Sequence, residues 1–80
     1  MNIIYSNHAN EKIAERKISK STIENSLKNP DTVMDSRAGT RVAHKLINDK
    51  LLRIVYRAEK QTCIVISAYY THPERYEEKK

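Results

Sequence analysis

Apolar residues in the first third of the chain fall four or five positions apart: Ala9, Ile13, Ile18, Ile23 and Leu27. At 100° per residue Ala9 and Ile13 share one helical face and Ala14 lies beside it. A first helix is therefore predicted from an N-cap at Ser6 or Asn7 to about Lys17. His8, Lys12 and Arg16 follow one another at i, i+4 and i+8, forming a basic stripe next to the apolar one. A second helix is predicted from Ser19, whose side chain caps it. Ile18 before the cap and Ile23 after it are spaced for a hydrophobic staple. Asn29-Pro30 ends the helix, because the residue before proline is pushed out of the α region. Met1 to Ile4 reads as a short strand or an apolar arm.

From Thr32 the period shortens. "TVMD" is a strand candidate, and "SRAGT", with the chain's single glycine, is a turn. "RVAHKLI", "LLRIVYR" and "TCIVISAYY" are three further strands. Asn48-Asp49-Lys50 is read as one hairpin connection and "AEKQ" as the other. The last two runs are apolar and β-branched, as central strands are. The expected architecture is α+β: two N-terminal helices packed on one face of a four-stranded antiparallel meander, the other face left open. One domain is expected over residues 1–73, followed by a charged, frayed tail over 74–80.

Strand alternation gives a first sorting of side chains. If the Ile54 and Ile66 rows face the helices, then Arg41, Lys45, Arg53, Ser67 and Tyr69 gather on the other face. Half-exposed strands alternate charged and apolar residues without any function, and one bulge would reverse the assignment.

Composition sharpens this picture in three ways. Fifteen basic residues against ten acidic ones leave a charge of +5, which attracts polyanions such as RNA or an acidic protein. The only cysteine, Cys63, lies in an apolar run and reads as a small buried hydrophobe; a chain without an internal disulfide fits a reducing cytoplasm. No apolar run approaches the ~20 residues of a membrane span. The amino terminus turns polar after four residues, so no leader is expected. At 80 residues the chain buries only roughly 60% of its unfolded surface, which implies a thin core. Neither a phosphate-cradling glycine loop nor a metal-ligand spacing is visible, and no cofactor is expected.

The stretch "SNHANEKIAERKIS" followed by "IENSLKNPDTV", with "LLRIVYR" and "CIVISAYY" further on, resembles the domain of unknown function 4258 family. The resemblance spans about residues 3 to 70 and rests on Ser6, His8, Ala9, Arg16, Ile18 and Ser19 together. It implies a distant branch of the RelE/ParE-like toxins, with their small helix-and-sheet fold. It singles out His8, Lys12, Arg16, Arg53 and Ser67. Lys12 stands where arginine is commoner in the family, and Lys17 where glycine is common.

The resemblance implies an mRNA-interferase-type endoribonuclease held by an acidic antitoxin, acting on RNA, on or off the ribosome, as a monomer or homodimer. Metal-independent cleavage needs a base for the 2′-hydroxyl, cations for the phosphorane oxygens and an acid for the leaving 5′-oxygen. Histidine is the side chain that exchanges protons near neutral pH, so His8 suits the base or the acid. Arg16 and Arg53 suit the phosphate, with Ser67 as a hydrogen-bond donor to it. Lys12, Arg41 and Lys45 are further phosphate contacts, and Tyr69 and Tyr70 are stacking surfaces for bases. Against this, His8 could instead fix the helix start, and Arg16 could pair with Glu15 or Glu24. His44 is expected to pack, and His72 to lie in an exposed turn. The alternative function is a non-catalytic nucleic-acid-binding or protein-binding module.

Overall fold

The computed structural model describes residues 2–75. The chain runs through β1 (Asn2–Tyr5), α1 (Asn7–Arg16), α2 (Lys20–Lys28), β2 (Thr32–Asp35), β3 (Arg41–Ile47), β4 (Lys50–Glu59) and β5 (Thr62–Thr71). A tight turn at Arg37–Gly39, with Ala38 at φ 55°, follows β2, and a 3₁₀ turn at Pro73–Arg75 follows β5. The expectation of a frayed tail falls largely on residues 76–80, outside the described residues.

The helices begin and end for local reasons. Ser6 Oγ accepts from the Ala9 amide at 3.0 Å, and Ser19 Oγ accepts from Thr22 at 3.1 Å. Each thereby satisfies a first-turn donor that has no partner within the helix. α1 stops at Lys17, which takes the left-handed conformation with φ 58°. The next amide, Ile18 N–H, turns back to the Ile13 carbonyl at 2.9 Å. That doubling-back is a Schellman-type ending, where glycine is the usual residue. Ile18 and Ile23 are both buried, as the staple requires.

The sheet departs from the expected one. It has five strands in the order β1-β5-β4-β3-β2, and β1 runs parallel to β5. The four-stranded, wholly antiparallel meander is therefore incorrect: the fold is α+β with a mixed sheet. "NIIY" is too short to declare itself, and only its pairing with a strand sixty residues away makes it one (Asn2 opposite Thr62). The antiparallel β2-β3-β4-β5 portion follows the expected short turns.

Both helices pack on one side of this sheet. Ala9, Ile13, Ile18 and Ile23 meet Ala43, Leu52, Ile54, Val65 and Ala68, with Ile3, Tyr5, Leu27, Ile47 and Tyr56 around them. The Tyr5 hydroxyl ties β1 to α2 by donating to Glu24 Oε2 at 2.9 Å. Burial, and then the adjacent carboxylate, push that phenol's pKa above its ordinary value. Asp31 closes the other side of the molecule. Its amide donates to the His44 carbonyl at 2.8 Å, and its carboxylate accepts from the Leu46 amide at 2.8 Å. The Asn29-Pro30-Asp31 corner thus ends a helix and clamps the start of β2 onto β3.

Candidate anion site at the edge of the sheet

Two register features decide which side chains share a face. The β3–β4 turn contains two residues, Asn48 and Asp49, so Ile47 pairs with Lys50 and His44 with Arg53. A three-residue connection would have set His44 opposite Ile54. The one-residue difference turns every β3 side chain to the other face. Arg41 and Lys45 consequently share the helix side with Ala43, away from Arg53, which corrects the expected grouping. They are paired there, Arg41 with Asp35 and Lys45 with Asp31, each at 3.5 Å.

The second feature is a bulge in β5. Val55 pairs with Ser67 but Tyr56 with Val65, so Ile66 is the extra residue. Cys63 and Val65 therefore join Ala68 on the core side, and Ile66 is left out of the core. Ser67 and Tyr69 keep to the Arg53 face. That face is not bare, because Val42, His44 and Leu51 are buried on it.

One rung across the sheet now carries His44, Arg53 and Tyr69 on adjacent strands. Arg53 Nε donates to His44 Nε2 at 3.0 Å, and Arg53 Nη1 donates to the Tyr69 hydroxyl. An acceptor Nε2 means that the imidazole is neutral, with its proton on Nδ1. Burial, and then the Arg53 charge, lower the His44 pKa from 6.5. Two different causes thus hold His44 in the form that accepts.

Arg16 approaches the same tyrosine from α1. β1 covers β5 only from Thr62 to Val65, leaving the Ala68 carbonyl beyond it at the strand's edge. Arg16 Nη1 donates to that carbonyl at 2.8 Å. Its guanidinium carbon lies 5.8 Å from the centre of the Tyr69 ring, and that of Arg53 lies 5.6 Å away. Both distances are within cation–π range. Two guanidinia drawn to one ring make a compact cationic centre suited to a phosphate or carboxylate.

The remaining candidates are placed as follows. Ser67 follows on the same face as Tyr69, two residues earlier in β5. His8 is exposed in the first turn of α1, eight residues or ~12 Å along the axis from Arg16. Lys12 lies between them and pairs with Glu15 at 3.5 Å. Tyr70 is on the helix side, opposite Leu52. His44 is the residue that sequence reasoning missed. Counting back from a two-residue turn would have set it opposite Arg53. Among the described residues no three His, Cys, Asp or Glu side chains are grouped to hold a metal ion. No helix among them is long and apolar enough to cross a membrane.

The family described as domain of unknown function 4258 matches residues 5–70, and the chain belongs to that family. No curated protein and no solved structure matches the chain. The fold gives the family's N-terminal motif a division of labour. Ser6 and Ser19 cap helices, and Ala9 and Ile18 fill the core. Lys17 occupies a left-handed position, where glycine would be free of strain. Once these structural positions are accounted for, His8, Lys12 and Arg16 remain, and Arg16 is the one that meets Tyr69.

Proposed function

We propose that this chain is a toxin-type endoribonuclease that cleaves RNA with side chains alone and is held in check by an acidic antitoxin protein. The observation that carries the reading is the convergence of Arg16 and Arg53 on Tyr69. In the proposed reaction the two guanidinia hold the scissile phosphate. His8, too far along α1 for direct transfer, removes the 2′-hydroxyl proton through a bridging water, and the 2′-oxygen attacks phosphorus. The bond to the 5′-oxygen breaks, and Tyr69 supplies the proton for it. Arg53 donates to the Tyr69 oxygen, so the tyrosine's own hydrogen remains available to give. The products are a 2′,3′-cyclic phosphate and a 5′-hydroxyl.

The test is cleavage of single-stranded RNA, with and without ribosomes, by the wild type and by Arg53→Ala, Tyr69→Phe and His8→Ala. Loss of cleavage in the first two, with the fold retained, is expected. Undiminished cleavage by Arg53→Ala overturns the assignment, and undiminished cleavage by His8→Ala removes the histidine from it.

A non-catalytic RNA- or protein-binding module is the second reading. One observation favours it: the cluster's imidazole, His44, already uses its lone pair on Arg53. In that case all three variants weaken binding, and the wild type leaves RNA intact.

A further inference from the structure

β4 carries a second arginine on the Arg53 face. Alternation along the strand puts Arg53, Val55 and Arg57 on the side turned away from the helices. The register sets Tyr69, Ser67 and Ile64 beside them in turn. The bulge at Ile66 produces this alignment; without it Ile64 would face the core. Four residues of strand separate Arg53 from Arg57, about 13 Å. The floor between them is Val55 and Ser67, both half-buried, with the Tyr69 ring at one end and Ile64 at the other.

Arg57 is held loosely. Its Nη1 lies 4.0 Å from the Glu59 carboxylate, and its Nη2 lies 3.4 Å from the Ala38 carbonyl in the β2–β3 turn. Both side chains of the ion pair are about half exposed (44% and 58%), and such pairs contribute little. A phosphate can replace Glu59 without breaking anything structural.

The strip therefore alternates cation, apolar and hydroxyl floor, and cation, with an aromatic ring at the end. Single-stranded nucleic acid has the matching pattern, with charged phosphates at intervals and bases that offer flat faces. A duplex hides those faces in its stack and leaves the floor unused. We propose that Arg57 is a second phosphate subsite, so that one RNA strand lies along β4 from the Arg53–Tyr69 centre toward the β2–β3 turn. The inference takes the identity of the polymer from the function proposed above but needs no chemistry at the centre.

The experiment measures binding of 2′-O-methyl oligouridylates to the full chain by fluorescence anisotropy, from about 50 to about 200 mM salt. A labelled octanucleotide spans both arginines; a dinucleotide, used as competitor, reaches only one. Arg57→Ala is expected to reduce the salt slope for the octanucleotide by about 0.7, the share of one phosphate on a single strand. It should leave the dinucleotide unchanged, and Arg57→Lys should keep the slope. An unchanged octanucleotide slope, or an equal loss on both ligands, overturns the subsite. The unmodified octanucleotide separates the two ideas. If it is bound in an Arg57-dependent way but never cut, cleavage is refuted and the subsite stands. If it is cut and Arg57→Ala binds it as tightly as the wild type, the subsite is refuted and cleavage stands.

Discussion

Arg53 Nε and His44 Nε2 are 3.0 Å apart across the β3–β4 pair, a cation donating to a neutral imidazole in a partly buried rung. Protonating His44 would put a second donor against the first and a second charge beside it. This pair therefore sets a pH dependence on the fold.

The folded pKa of His44 is below 6.5, first by burial and then by Arg53. Between the folded and unfolded values the unfolded chain binds more protons. The contribution is thus fully present above pH 6.5 and is lost as pH falls through the folded value. Urea unfolding across that range should show stability falling on the acid side, and His44→Gln should flatten this part of the profile. An NMR titration should find His44 below 6.5, moving upward in Arg53→Ala but staying low because burial persists.

Arg16 is exposed on α1, so Arg16→Ala should change stability by less than about 1 kcal/mol. RNA binding should weaken about tenfold, the effect of losing one charge-assisted contact. Arg16→Lys should recover only part of this. Lysine keeps the charge but lacks the planar fork that serves Ala68 and a phosphate together. A binding titration of the two variants reads the difference.

Much of the helical half was legible because its signals are local. Ser6, Ser19, the Ile18–Ile23 staple and Asn29-Pro30 each act within five residues, and each sits where the pattern put it. The β-turn chemistry at "SRAGT" is equally local, with Ala38 and Gly39 both at positive φ. The errors lie where one residue of register decides a face. Counting Lys50 into the β3–β4 turn moved Arg41 and Lys45 to the wrong side and hid His44. Nothing in "TCIVISAYY" marks Ile66 as the bulged residue, since any of its β-branched neighbours could fill that place. β1 was ambiguous for a different reason, because its partner lies at the far end of the chain.

Lys17 holds φ 58° without the freedom of glycine. Lys17→Gly should stabilise the protein by about 1 kcal/mol, by relieving the left-handed conformation at the end of α1. Chemical denaturation measures this directly. Lys17→Val should act in the opposite direction, because a β-branched residue is poorly tolerated there.

The Asp31 pKa is lowered from 3.8, chiefly by the Leu46 amide that its carboxylate accepts, with Lys45 adding to this. Its stabilising effect is present above pH 3.8 and is lost as pH falls through the folded value. Asp31→Asn should lower the melting temperature at neutral pH and shrink the difference between neutral and strongly acid conditions. Thermal melts of both proteins over that range check the sign.

Placing the first strand beside the last has a consequence for synthesis. While the chain emerges from a ribosome, β1 and the two helices have no β5 to rest on until residue 71 has cleared the exit. Contacts between such distant segments form slowly. The cationic centre, built from α1, β4 and β5, is assembled at the same late moment. Until then the apolar faces of both helices, Ile13 and Ile23 among them, have no sheet to cover them.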